Sequence, residues 1–158
     1  MAKVLFAFAH PDDETLCAGT AVVEHVIAGH DVHVASLTRG ETSGALDMLN
    51  GALTSSWWGV PHVPAEEGYI ELTALEFGQA RIAELHTAMA AMATGIGTIT
   101  VHDVNLATVT QTAARDAILA LCDQIDPAGG AVRIKTHTNI VDNHPDHVAI
   151  GAAALQLR

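Results

Sequence analysis

Short apolar runs alternate along the whole chain with longer stretches whose apolar residues recur at helical spacing, and this alternation admits few folds. Val4–Ala9 reads as a strand, Glu14–Ala28 as a helix ended by Gly29, and Val32–Leu37 as a second strand. Ala74–Ala93 carries a helical pattern that closes at Gly95, Thr98–Val101 reads as a third strand, and Thr112–Ile125 as a helix stopped by Pro127. Val132–Thr136 gives a fourth strand, and a last helix runs from Pro145 to about Leu157. Strands separated by helices cannot pair as hairpins, so the expected fold is α/β: Rossmann-like, a mostly parallel sheet with helices on both faces. With strands in the order 3-2-1-4, the carboxyl ends of strands 1 and 4 meet at the switch point where such sheets bind ligands.

Both of those strand ends carry the same tripeptide. Ala9-His-Pro-Asp-Asp-Glu14 follows the first strand, and Asn143-His-Pro-Asp-His147 follows the fourth. Each proline suits the first position of a helix, where its missing N–H costs nothing. The acids after it suit the positive end of the helix dipole. Capping does not account for the histidines, because caps favour Ser, Thr, Asp or Asn. Metal binding does. Residues three apart at a helix start project the same way, so His10 with Asp13, and His144 with His147, can converge on one place. Two histidines, an aspartate and one open position make a usual catalytic zinc set.

One stretch breaks the alternation. Thr38–Leu72 is rich in small and polar residues and contains Trp57-Trp58; it reads as a long loop, either a surface loop or a lid or wall for a substrate. The remaining histidines, His25, His30, His33, His62 and His86, read as surface or partly buried residues. His102 and His137 lie near strand carboxyl ends, where either could line a pocket.

At 158 residues, with 49% hydrophobic and 16% charged residues, the chain reads as a single globular domain spanning 1–158. A net charge of −11 argues against nucleic acid and against anionic membrane. No apolar stretch approaches the roughly 18 residues of a membrane span. Two cysteines, Cys17 and Cys122, make no disulfide framework, so a cytoplasmic setting is expected.

The paired motifs, Ala9–Glu14 and His144-Pro-Asp-His147-Val-Ala149, resemble those of the PIG-L/LmbE family of zinc-dependent N-acetyl-sugar deacetylases. Leu37-Thr-Arg-Gly-Glu41 and Arg81-Ile-Ala-Glu-Leu85 resemble further family segments. The resemblance implies zinc ligands at His10, Asp13 and His147, with other divalent metals open. It implies Asp12 as general base, His144 as oxyanion stabiliser or proton donor, and Asp146 as the group that orients His144. It implies substrate contacts at Arg81 and Cys17, with Asp103 as a looser candidate for a second sugar contact. The partner it implies is a small-molecule N-acetyl sugar conjugate, with self-association left open. Family members usually continue beyond the last helix here, so the domain reads as short at its C-terminus. An alternative is therefore a metal-binding but catalytically inactive member. A phosphoacceptor domain would leave the histidines unused, and a dinucleotide oxidoreductase would need a Gly-x-Gly-x-x-Gly turn after the first strand.

Overall fold

The computed structural model describes residues 1–56, 59–141 and 143–157. In chain order the elements are β1 (Lys3–Phe8), α1 (Asp13–Ile27), β2 (Asp31–Ser36), α2 (Gly44–Leu49), α3 (Pro64–Glu67), α4 (Ala74–Ala93), β3 (Ile99–Asp103), α5 (Gln111–Ile125), β4 (Val132–Thr136) and α6 (Pro145–Leu155). The four strands form one parallel sheet in the order β3-β2-β1-β4, as the alternation requires. Phe8 pairs with Ser36, Ser36 with Asp103, and Ala7 with Thr136, so all four carboxyl ends finish along one edge. His10 and His144 follow the ends of two adjacent strands because of this order.

β1 is central and covered on both faces. Leu5 and Ala7 face α5 and α6, packing with Ile118, Leu121 and Ile150. Val4, Phe6 and Phe8 face α1 and α4, packing with Val22, Val26, Leu85 and Met89. Phe6 is 1% exposed and Leu5 fully buried. Burial of each side chain of this size stabilises the fold by about 1.5–3 kcal/mol, which fixes the strand from which the first motif departs. The helices α4 and α5 start on side-chain caps. Thr73 and Glu76 form a reciprocal capping box at α4, and Thr110 accepts from Ala113 N–H at α5.

The stretch 38–72 is a folded excursion rather than the loop expected from its composition. It contains α2 and α3, and its two ends are tied together by side chain to backbone. Asn50 donates to Leu72 O at 2.8 Å and accepts from Leu72 N–H at 2.9 Å, while Tyr69 Oη donates to Leu49 O at 2.7 Å. Trp57 and Trp58, expected as a lid or wall, lie outside the described residues. Among the described residues no helix is long and apolar enough to cross a membrane.

Candidate metal centre

The two motifs meet. His10 leaves β1 behind Ala9, whose carbonyl accepts from both the backbone N–H and the hydroxyl of Thr38, at 2.9 and 3.0 Å. The N–H of His10 donates to Asp13 Oδ2 at 2.9 Å, which folds the turn back on itself. His10 Nδ1 lies 3.4 Å from Asp13 Oδ2, His147 Nε2 lies 3.3 Å from the same oxygen, and His147 Nε2 lies 3.4 Å from His10 Nδ1. Three candidate ligand atoms thus form a nearly equilateral triangle. Two ligand atoms about 2.1 Å from a tetrahedral ion are about 3.4 Å apart, so this spacing fits zinc without movement. His10, Asp13 and His147, expected as a set, are brought together as one.

The surroundings fix which atoms face the triangle. His10 Nε2 lies 3.1 Å from Asp146 Oδ2. With its proton directed to that carboxylate, Nε2 leaves the Nδ1 lone pair towards Asp13 and His147, the arrangement by which a carboxylate orients a metal-ligating histidine. The expected partner of Asp146 is His144. Its carboxylate meets His10, and its link to His144 runs through the backbone, with Asp146 N–H donating to His144 Nδ1 at 3.3 Å. The reason lies at the start of α6, where His144 is the N-cap and its ring lies edge-on to His10, centroids 4.8 Å apart.

Potential ligand atoms lie within 4.8 Å of one another in two overlapping groups, His10–His144–His147 and Asp13–His137–His147. His137 is the residue that sequence reasoning left unplaced. It follows β4 directly, is buried, and stacks parallel on His147 with centroids 3.8 Å apart. Its Nε2 lies 3.3 Å from Asp13 Oδ2 but accepts Ala9 N–H at 3.2 Å. A lone pair taken by a backbone donor is not offered to an ion, so His137 acts as a wall that fixes His147 and Asp13. Its position at a strand end was the only signal for it. His102 shares that signal, yet it pairs with His33 Nδ1 at 3.0 Å on the sheet.

Electrostatics follow this packing. Burial pushes the Asp13 carboxyl up, but the adjoining His10 and His137 rings, the His10 backbone N–H that donates to it and the nearby His147 hold it well below the usual carboxylate range. Burial lowers His10, yet Asp13 and Asp146 on either side of its ring raise it above an ordinary histidine. Asp13 is thus favoured as the anion and His10 favours its proton, and a cation taken up here competes with that proton.

Asp12 departs from expectation in its backbone. Pro11 is not the first helical residue. α1 begins at Asp13, and Asp12 caps it at φ 144°, ψ −31°, left-handed territory for a residue with a side chain. In this conformation the Asp12 N–H donates to Glu14 Oε2 at 3.0 Å. The Asp12 side chain is 54% exposed and paired with Arg81 Nη2 at 2.9 Å.

The expected substrate contacts are not gathered into the cleft. Beside His10 and Asp146 lies a hollow of about 380 Å³, lined also by Thr38, Arg39, Glu41 and Asn105. Arg81, 12% exposed, points instead at Asp12 and at Pro11 O, the latter at 2.6 Å. Cys17 is exposed on α1 in a separate shallow hollow with Thr20 and Glu24, because α1 turns that face away from the sheet ends. Asp103 accepts from Arg39 Nη2 at 2.7 Å and from Arg39 Nε at 3.0 Å, so it holds a cleft residue rather than lining the cleft. Arg39 itself was marked by its place after β2 and by the resemblance of Leu37–Glu41 to a family segment, without a role.

The family model described as "PIG-L: GlcNAc-PI de-N-acetylase" matches residues 5–157. A 1D-myo-inositol 2-acetamido-2-deoxy-alpha-D-glucopyranoside deacetylase of Mycobacterium sp. (strain KMS) is 36% identical over 90 residues, 57% of this chain and 24% of that protein. The protein of the same name from Mycolicibacterium vanbaalenii is 50% identical over 40 residues, 25% of this chain and 14% of that one. The matches therefore span a quarter or less of these relatives' length. Among solved structures, the 4-carboxy-2-hydroxymuconate hydratase GalB from Pseudomonas putida KT2440 superposes with TM-score 0.67 at 18% identity, over 98% of this chain and 55% of that one. The N,N'-diacetylchitobiose deacetylase from Pyrococcus horikoshii does so with TM-score 0.64 at 19% identity, over 98% and 48%. A hydratase and a deacetylase share this fold, so the fold alone does not choose the chemistry.

Proposed function

The chain belongs to the PIG-L family, and on that premise we propose that it hydrolyses the acetamide of an N-acetylglucosamine-type sugar conjugate, releasing acetate and a free amino sugar, with zinc held by His10, Asp13 and His147. The observation that carries this reading is the triangle of His10 Nδ1, Asp13 Oδ2 and His147 Nε2, whose sides of 3.3–3.4 Å match ligand atoms around a tetrahedral ion and whose His10 lines the adjoining hollow. Support also comes from the name shared by the mycobacterial relatives.

Held by His10, Asp13 and His147, a zinc ion would supply Lewis acidity towards an amide carbonyl and water. The chain's own groups do the rest. Asp12, half-exposed and paired with Arg81, takes up the proton lost by the attacking water and returns it to the departing nitrogen. His144 accepts Asp146 N–H at Nδ1, which leaves Nε2 to donate a hydrogen bond to the developing oxyanion. Asp146 holds His10 in the ligating tautomer. Arg39, braced by Asp103, and Thr38 line the hollow where the sugar and its substituent lie.

The test is acetate release from a panel of N-acetylglucosaminides by protein loaded with zinc and by protein stripped with chelator. Turnover by the loaded form, lost on stripping and regained with zinc, is the expected result. A loaded protein that releases no acetate from any member would leave a metal-binding relative without this activity.

A further inference from the structure

Asp12 occupies a costly conformation, and the residue that secures it comes from a distant element. A non-glycine residue at φ 144° sits in a sparsely populated region, and such residues persist only where the surroundings over-determine them. Two groups do so. Glu14, 2% exposed, accepts Asp12 N–H through Oε2 at 3.0 Å. Arg81, on α4, places Nη2 between the Pro11 carbonyl at 2.6 Å and Asp12 Oδ2 at 2.9 Å, spanning the turn on its other side. Arg81 is itself confined. Its guanidinium carbon lies 5.6 Å from the Phe77 ring centroid, and Nη1 fills the space that a side chain at Gly40 would take. Gly40 is at φ 66°, so the segment after β2 is shaped to admit this guanidinium.

We infer that Arg81 is a positioning residue for Asp12: it fixes the turn and aims the carboxylate, and it does not grip substrate. The inference rests on the reading of Asp12 as the proton acceptor. One nitrogen, Nη2, satisfies a backbone carbonyl and a carboxylate at once, while Nη1 is seated against Gly40. The effect on the reaction runs wholly through Asp12, and that separates a positioning role from a contact with sugar.

Two independent measurements decide it. In kinetics, Arg81→Ala is expected to lower kcat by roughly tenfold or more, the scale on which misplaced catalytic groups act, with KM nearly unchanged. Arg81→Lys recovers part of the loss, and millimolar guanidinium partly rescues the alanine variant. In an Asp12→Asn background, Arg81→Ala adds nothing further. A raised KM at unchanged kcat, or losses that multiply in the double variant, would overturn the inference in favour of substrate contact. Hydrogen exchange of peptides spanning residues 9–16 reads the same claim without any reaction. Arg81→Ala should accelerate exchange there while the melting temperature and zinc content hold. Unchanged exchange would overturn the inference even if no acetyl sugar is turned over. A wild type that fails to release acetate, with exchange behaving as expected, would overturn the proposed reaction and not the positioning role.

Discussion

His10-Pro11-Asp12 and His144-Pro145-Asp146 are the same tripeptide, each placed after a parallel strand, and they adopt different backbones. In the second, His144 is an extended N-cap at φ −72°, Pro145 takes the first helical position and Asp146 sits in the first turn. In the first, the helix starts two residues later in the motif, with Asp12 as N-cap and Asp13 as the first helical residue. The fourth positions, Asp13 and His147, still meet at 3.3 Å. The third positions part company, Asp12 going to Arg81 and Asp146 to His10. A shift of two residues in where a helix is capped thus turns one aspartate outward and uses the other to orient a ligand. Equal spacing in a sequence does not imply equal roles.

The fourth positions should give the largest effects. Asp13→Ala and His147→Ala are each expected to lose zinc on dialysis and to fall to background activity, since a three-ligand site cannot spare a ligand. Zinc retained by either variant, measured by atomic absorption, would break the symmetry claimed for these positions. The third positions should differ from each other. Asp12→Asn is expected to keep its zinc while kcat falls by roughly 10²–10⁴, the usual worth of a positioned base. Asp146→Asn should weaken zinc binding by about 10–100-fold, as loss of a carboxylate behind a ligating histidine does, with activity restored by added zinc. If Asp12→Asn lost zinc and Asp146→Asn did not, the two roles would have to be exchanged.

The smallest effect is one of pH on the metal-free protein. Asp13 is held below its ordinary range, so it contributes stability that is present above the ordinary carboxylate pKa near 4 and lost as pH falls through its lower folded value. Asp13→Asn should flatten that acid limb in melting temperature against pH. His10 is raised, so its contribution is present below the ordinary histidine pKa of about 6.5 and lost as pH rises through the folded value. Asp146→Asn should shrink that loss on the neutral side. An Asp146→Asn profile that matches the wild type there would detach Asp146 from His10.

The sheet was readable because its strands are continuous apolar runs and its helices carry periodic apolar stripes, signals that burial itself imposes on residues such as Phe6 and Ile118. The ligand set was readable for a related reason: parallel topology brings two named strand ends together, and only those ends carry His-Pro-Asp. The helices α2 and α3 were not, because the excursion is held by contacts such as Asn50 to Leu72 between residues 22 apart. The partners of Asp146, Arg81 and Asp103 were hidden for the same reason. Each depends on a side chain arriving from another element, and on a glycine such as Gly40 whose purpose shows only once Arg81 lies against it. His137 gave no pattern at all beyond its place after a strand.

The closure between β1 and α6 also has a kinetic side. His10 and Asp146 are separated by 136 residues, yet they touch. An ion shared by His10, Asp13 and His147 would act as a removable cross-link across nearly that whole loop, and a permanent link closing about 100 residues is worth about 4.7 kcal/mol in the chain-entropy model. The first turn holds two of the three ligands, and the third arrives only when α6 docks beside β1. Tight metal capture would therefore wait for α6, and a bound ion would report that the β1 and β4 ends have come together.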